Sequence, residues 1–424
     1  MMASEDDVSK PTVKVVDQGK KSFIVSIFQR LVSIKINNNN VGDARKLIHS
    51  IKVGIALVIV SLIYMVNPMF KEVGENAMWA VMTVVVMFEF YAGATLGKGI
   101  NRVIGTLVGG VLGCLVAIVG GEIGGIGKPI IIAASVFFFG ASATYYRQVP
   151  RLKQRYDYGF MIFILTLSLV AVSGVRAEKV VALGRDRIAT IGMGFAVCIS
   201  VSLFVCPIWA SNELHMSTAS SFDKLAISIQ GCLDEYFKMG SEKGNEESNG
   251  SVNYTQSCKS ILNSKANVEA LANHAKWEPW HGKFGINYPW DKYLEIGEQL
   301  RDLAATIFSL KGCLQSPKQP QPIERQSLKE ACENYMLTIG WILKELGESI
   351  EKMELCKTKG LINPKLQSLE LQLCPRSSSS HEDVAAIATF NFLLLEIVGK
   401  VELLAKKVEE LGEAANFRAK SINV

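Results

Sequence analysis

The residues most suited to chemistry in this sequence are charged side chains set against long apolar runs. In the stretch 79–102, WAVMTVVVMFEFYAGATLGKGINR, Glu89 lies inside an apolar run, and Lys98 and Arg102 stand just before the next one. Arg187 stands at the start of a later apolar run. Charge at the edge of a bilayer is costly, so such residues often serve ions or protons.

The cations Lys98, Arg102 and Arg187 have two interpretations. They are either long side chains that reach the lipid headgroups, or the lining of a path for anions. Arg102 and Arg187 each begin an apolar run, where the N-terminus of a predicted helix would add positive potential. We therefore predict an anion pore lined by Arg102 and Arg187, with Lys98 as a further member.

Glu89 also has two interpretations. A lone carboxylate in hydrocarbon needs a partner. It is either half of a structural ion pair, with Lys52 of the first apolar run as one candidate, or a gate that competes with the permeating anion for a cation.

Other chemistry lacks support in the sequence. The five histidines form no HExxH spacing, the nine cysteines no CxxC, and there is no Walker loop, GxSxG or GxGxxG. We therefore predict no enzyme, no metal site and no cofactor. The net charge of +5, without a basic-aromatic array, predicts no nucleic-acid partner.

The elements that carry these residues follow from the distribution of apolar residues. Hydrophobic residues make up 49% of the 424 residues, and a membrane-crossing helix needs about 20 of them in a row. The pattern predicts an all-α membrane protein with six transmembrane helices followed by a cytosolic helical bundle domain. The predicted domains are a cytosolic N-terminal arm (1–46), a six-helix transmembrane domain (47–208) and a cytosolic helical domain (209–424). The six runs lie at about 47–66, 77–96, 103–121, 129–146, 158–175 and 187–208.

Basic residues predict the orientation of these helices. The arm before run one, the loop holding Lys98 and Arg102, and the loop 147–157 are basic, which places them in the cytosol. Six crossings then put both termini in the cytosol. The basic loop 176–187 departs from this rule, so its cations are candidates for a purpose other than topology.

Three further patterns concern packing. Gly105, Gly109 and Gly113 form one face at four-residue spacing, which predicts the close approach of another helix. The segment WEPWHGKFGINYPW is either a packed turn at the base of the bundle or a ligand pocket. The C-terminal seam predicts either bundle core or a dimeric coiled coil, and its members are Ile387, Phe390, Leu394, Ile397, Val401, Leu404, Val408 and Leu411.

Four segments together resemble the plant aluminium-activated malate transporters. They are WAVMTVVVMFEFYAGATLGKGINR, YDYGFMIFILT, CPIWASNELH and WEPWHGKFG. The resemblance implies a dimeric anion channel with six transmembrane helices per subunit, which passes malate and often chloride, nitrate or sulfate. It matches Arg102 to the arginine that closes the motif GATLGKGxNR and Arg187 to the arginine that opens the sixth helix. The membrane is either the plasma membrane or the vacuolar membrane.

Aluminium activation is not implied for this chain. It would need extracellular carboxylates, and those of the predicted outer loops are diluted by lysine and arginine. The acidic residues concerned are Glu72, Glu75, Glu122, Glu178 and Asp186.

The sequence therefore predicts a passive, dimeric channel for malate and inorganic anions. One alternative is a secondary active exporter of organic or aromatic acids. Another is a scaffold for soluble partners on a membrane anchor, for which one apolar helix would suffice.

Overall fold

The structure is a computed structural model that describes residues 41–66, 77–173, 180–238, 249–285, 287–314, 322–355, 362–373 and 381–419. The expectations for the arm 1–40 and for Glu72, Glu75 and Glu178 lie outside these residues, as do those for the side chains of Asp186 and Arg187. The described residues confirm an all-α fold, with a single pair of two-residue strands, β1 (Glu354–Leu355) and β2 (Arg418–Ala419), in parallel. The chain divides into two compact units.

The first unit contains the residues up to Phe90 and Arg185–Cys206. Its helices are α1 (Val41–Val66), α2 (Ala77–Met87) and most of α6 (Val180–Phe204). Mostly apolar side chains fill the space between them, so burial of apolar surface contributes most to holding the unit together. The core side chains are Ala56, Val60, Ala80, Val84, Phe88, Cys198 and Val201.

The second unit contains three long apolar helices, α3 (Ala92–Ile123), α4 (Gly127–Gln148) and α5 (Pro150–Ser173). Helix α3 has 32 residues, so it is about 48 Å long at 1.5 Å per residue, whereas the hydrocarbon of a bilayer is about 30 Å thick. The residues that follow Arg102 suffice for that thickness. Part of α3 therefore extends beyond the hydrocarbon.

The glycine face of α3 packs on α5 as predicted. A Cβ atom at Gly105 would lie 2.5 Å from the carbonyl oxygen of Gly159, and one at Gly109 would lie 2.7 Å from that of Phe163. At Gly113 it would lie 2.9 Å from the Cβ atom of Val170. Only hydrogen fits at these positions, which confirms the prediction of a close helix pair.

Two loop predictions are wrong. The second apolar run does not continue to residue 96: α2 ends at Met87, and α3 runs without a break through Lys98 and Arg102. Its glycines do not break the helix because a neighbouring segment packs directly against them. The loop 147–157 is likewise mostly helical, since α4 and α5 are separated by Val149 alone; the Nε atom of Arg147 lies 2.8 Å from the Oδ1 atom of Asp157.

The remaining helices of the second unit form a bundle around one core, which includes Phe222, Tyr293 and Tyr335. The described members of the C-terminal seam, from Phe390 to Leu411, are buried in that core. This confirms the bundle-core interpretation of the seam. The bundle helices are α7 (Ala210–Lys238), α8 (Asn249–Leu262), α9 (Lys265–Ala275), α10 (Trp290–Leu314), α11 (Pro322–Lys352), α12 (Asn363–Leu373) and α13 (His381–Ala414).

Four of the described helices are long and apolar enough to cross a membrane. They lie at Gly42–Met65, Ala92–Ile123, Gly127–Gln148 and Pro150–Ser173. The apolar parts of α2 and α6 that the structure describes are shorter, at Met78–Met87 and Ile188–Phe204.

A chain of polar side chains crosses the bundle core. The Nδ1 atom of His215 lies 2.8 Å from the Oη atom of Tyr293, which lies 3.2 Å from the Oη atom of Tyr288. The Nε2 atom of His215 lies 3.4 Å from the carbonyl oxygen of Glu351. This chain links α7, α10 and α11. Burial, with a smaller contribution from the charge of Lys283, lowers the pKa of His215, while Glu351 opposes the shift.

We expect acid to destabilise this bundle. The unfolded chain takes up a proton at His215 near pH 6.5, but the folded chain resists it. The neutral ring therefore contributes its full stability above that pH, and this is lost as pH falls, at no more than about 1.4 kcal/mol per pH unit. Thermal unfolding of the purified protein in detergent, measured from about pH 7.5 to 5.5, should show the slope.

The variant His215→Gln should flatten this slope. His274→Gln, which removes a histidine of α9, should retain it. An unchanged slope in His215→Gln would assign the pH dependence to other groups.

Candidate anion-binding site

The predicted pore cations Lys98 and Arg102 meet at a single aromatic residue of α5. The Nη1 atom of Arg102 donates a hydrogen bond to the Oη atom of Tyr158 over 2.9 Å. The Nζ atom of Lys98 lies 5.8 Å from the centroid of the same ring. One tyrosine therefore holds both cations, one by its hydroxyl and one by its ring.

The guanidinium group of Arg102 is incompletely satisfied. Only 7% of the residue is exposed, its Nε atom has no hydrogen-bond partner, and no carboxylate of the described residues forms an ion pair with it. The hydroxyl of Thr106, one turn further along α3, is also buried without a partner. A buried cation without a counter-ion costs several kcal/mol. Cation and hydroxyl together therefore form a set of donors suited to an anion.

Close packing of α3 on α5 positions this set. The approach at Gly105 and Gly159 brings Tyr158 within reach of Arg102. The Nδ2 atom of Asn101 in α3 donates a hydrogen bond to the carbonyl oxygen of Arg155 in α5 over 2.9 Å. This bond fixes the register of α3 against α5. Local sequence alone therefore does not place the site; the helix pair does.

The start of α3 is held by the aromatic segment that follows α9. A Cβ atom at Gly97 would lie 2.9 Å from the Cδ1 atom of Trp277, and one at Gly93 would overlap the carbonyl oxygen of His274. The guanidinium of Arg155 lies 5.0 Å from the ring of Trp277. Helices α3 and α5 thus meet the bundle here, which confirms the packed-turn interpretation of this segment.

Glu278 of this segment caps the start of α7. Its carboxylate accepts hydrogen bonds from the backbone N–H groups of Ala210, over 2.6 Å, and Ser211, over 3.2 Å. Burial raises the pKa of Glu278, and the hydroxyl and N–H of Ser211 and the N–H of Ala210 oppose this. The motifs CPIWASNELH and WEPWHGKFG therefore meet at a helix cap.

The same residues resemble a catalytic triad in composition but not in geometry. The Oγ atom of Ser211 lies 2.9 Å from the Nε2 atom of His281. The Nδ1 atom of His281, which the acid of a triad would orient, instead donates to the carbonyl oxygen of Pro279 over 2.8 Å. Glu278 approaches Nε2 at 3.7 Å. Within the described residues, no group of three or more His, Cys, Asp or Glu side chains could hold a metal ion.

Two other predicted site residues, Lys52 and Glu89, lie within the described part of the chain. Lys52 is buried in α1, and its Nζ atom donates to the carbonyl oxygen of Ser202 over 3.3 Å. Glu89 lies half-buried in the non-helical segment between α2 and α3. Both belong to the first unit. Their pairing, and the use of Glu89 as a gate, stay predictions.

The helix-dipole argument for the two arginines is wrong. Arg102 lies well inside α3, which begins at Ala92, and Arg187 lies well inside α6, which begins at Val180. The positive potential of a helix N-terminus falls off within the first turn. The backbone at Arg102 therefore adds no such potential, and the case for Arg102 depends on its own charge and burial.

Sequence reasoning missed Tyr158, Thr106 and Trp277 as members of this site. Tyr158 stands in the quoted segment YDYGFMIFILT, where a tyrosine at the edge of an apolar run is typical of the membrane interface. That signal identifies a residue at the membrane interface, but it does not identify Arg102 as the residue that Tyr158 contacts.

The family model for the aluminium activated malate transporter matches residues 39–373 of this chain. The chain is 39% identical to aluminum-activated malate transporter 2 of Arabidopsis thaliana over 384 residues, which cover 89% of this chain and 77% of the relative. It is 38% identical to transporter 7 of the same plant, covering 89% and 81%. It is 34% identical to transporter 1 of Triticum aestivum, covering 89% and 84%.

The apolar spans and these relatives define an integral membrane protein of the transporter class, built of α-helices. Because this class does not carry out catalysis, the prediction that the chain is not an enzyme is confirmed. The chain belongs to the aluminium-activated malate transporter family.

Proposed function

We propose that the protein is a passive channel for malate and inorganic anions such as chloride, nitrate and sulfate. The observation that supports this most is the buried guanidinium of Arg102, whose free Nε atom lies on the same helix as the unpartnered hydroxyl of Thr106. An anion satisfies both donors. A channel also needs binding weak enough for the anion to leave.

We further propose that Arg187 and Lys98 belong to the same path. Lys98 approaches Tyr158 beside Arg102, and Arg187 is included because of the family resemblance. An anion that meets the cations one after another is bound at several weak sites, which favours conduction.

The proposed assembly is a homodimer with six membrane crossings per subunit and both termini in the cytosol. Helix α6 has 25 residues, which is about 37 Å at 1.5 Å per residue and enough to cross the hydrocarbon. We assign the remaining crossing to the predicted run 77–96, whose described apolar helix is Met78–Met87. The domains 1–46, 47–208 and 209–424 then form the arm, the membrane domain and the cytosolic bundle, in the plasma membrane or the vacuolar membrane.

Ionic currents distinguish this channel from an exporter of organic or aromatic acids. We expect membranes that contain the protein to carry malate and chloride currents that reverse at the equilibrium potential of the anion. A pH gradient imposed across the membrane should leave this reversal potential unchanged, because a passive channel couples to no other ion.

A protein-free membrane and a membrane with an unrelated helical membrane protein serve as controls. Malate movement that follows the proton gradient, without a current reversing at the anion potential, would establish the exporter instead.

A further inference from the structure

Tyr158 is the residue that both cations of the proposed site contact. Its hydroxyl oxygen accepts the hydrogen bond from Arg102 at 2.9 Å, and its ring faces the ammonium group of Lys98 at 5.8 Å. The side chain is half-buried, so it lies between the buried guanidinium and more accessible space. An anion that approaches Arg102 from that space meets the phenol.

The chemistry of the phenol leaves one donor unused. A tyrosine hydroxyl has one hydrogen and accepts through oxygen lone pairs. Since Arg102 donates to that oxygen, the hydrogen of Tyr158 is not used in the pair. The donors at hand for an anion are therefore this O–H, the Nε–H of Arg102 and the hydroxyl of Thr106.

We infer that Tyr158 positions Arg102 and determines which anions the channel prefers, by donating its hydroxyl hydrogen to the carboxylate of a permeating dicarboxylate. The inference rests on the proposed function. A carboxylate has two oxygens in one plane, so it can accept from the guanidinium and from the phenol at the same time. Chloride responds to charge without such directional preference. The hydroxyl should therefore favour malate over chloride.

The variant Tyr158→Phe removes the hydroxyl and keeps the ring that faces Lys98. We expect the malate-to-chloride permeability ratio, measured from reversal potentials with malate on one side and chloride on the other, to fall about threefold to tenfold, as for the loss of one hydrogen bond. Chloride current per channel at the membrane should change less, because Arg102 keeps its charge.

The matched control is Tyr156→Phe. Tyr156 lies two residues away on the same helix, and its ring lies 5.6 Å from the guanidinium of Arg155. This variant also removes one tyrosine hydroxyl, but outside the proposed site. Its malate-to-chloride permeability ratio should therefore equal that of the unchanged protein.

If the Tyr158→Phe protein does not reach the membrane, a second measurement tests the inference. Incorporation of difluorotyrosine at position 158 keeps the side-chain shape but makes the phenol more acidic. The malate-to-chloride ratio should then fall as the pH rises through the range in which this phenol ionises, since a phenolate no longer donates and repels a carboxylate.

The outcomes separate the inference from the proposed function. Suppose that Arg102→Ala alters conduction. If the malate-to-chloride permeability ratio is then unchanged in Tyr158→Phe, or does not vary with pH in the difluorotyrosine channel, Tyr158 has only a structural role and the inference is wrong. If Arg102→Ala itself leaves conductance and selectivity unchanged, the proposed pore site is wrong.

Discussion

Replacing Arg102 with alanine should lower the anion current about tenfold or more at equal amounts of protein in the membrane. The guanidinium is the only part of the α3–α5 site that carries a buried charge, with 7% of the residue exposed. A hydrogen bond to a charged group contributes about 1.5–3 kcal/mol, and about 1.4 kcal/mol corresponds to a factor of ten. Current measurements normalised to surface protein test this.

Two further variants are compared with Arg102→Ala: Arg102→Lys, which keeps the charge, and Arg151→Ala, which removes a charge outside the site. Lysine keeps the charge but lacks the planar fork that bonds Tyr158 and leaves Nε–H for an anion, so partial current with altered malate preference is expected. Arg151 is exposed at the start of α5, and its loss removes the same charge without opening the site. Equal currents in Arg102→Ala and in the unchanged protein would contradict the proposed pore.

The contact of α3 with α5 should be destroyed by a single methyl group at Gly109. A Cβ atom there would lie 2.7 Å from the carbonyl oxygen of Phe163, and a backbone atom cannot turn aside as a flexible side chain can. The helices must separate, at a cost of about 1–3 kcal/mol. The contact of Tyr158 with Arg102 depends on the same approach, so Gly109→Ala should lower both the thermal midpoint in detergent and the anion current.

The neighbouring Gly110 provides a control on the same helix. A Cβ atom at Gly110 meets nothing within 4 Å, and alanine favours a helix over glycine by about 1 kcal/mol. Gly110→Ala should therefore keep or raise the thermal midpoint. Equal thermal midpoints for the two variants would show that the helices do not approach as closely as the glycine face requires.

The apolar runs and the glycine face could be read from the sequence because they depend on local pattern. Burial of a long apolar segment in lipid requires a helix whatever its neighbours, and glycines four residues apart lie on one face by helix geometry alone. The seam from Phe390 to Leu411 was found for the same reason. Its burial in the bundle, rather than in a coiled coil, needed the neighbouring helices.

The break at Phe88 and the continuous helix from Ala92 to Ile123 could not be read from the sequence. Glycines at 93, 97 and 99 indicate a loop by propensity. They are helical here because His274 and Trp277, far along the chain, fill the space that side chains would occupy at Gly93 and Gly97. A gain from tertiary packing outweighs a local preference of about 1 kcal/mol per glycine.

By itself, the sequence determined that this is an α-helical membrane protein whose costly cations include Lys98 and Arg102, because the hydrophobic effect and the cost of burying charge depend on residue type and order. Only the tertiary structure decided that Arg102 lies within a helix, that its Nε atom and the hydroxyl of Thr106 lack partners, and that Tyr158 joins it to Lys98. Hydrogen bonds and close helix contacts depend on distances between residues remote in sequence, and those distances are set by packing.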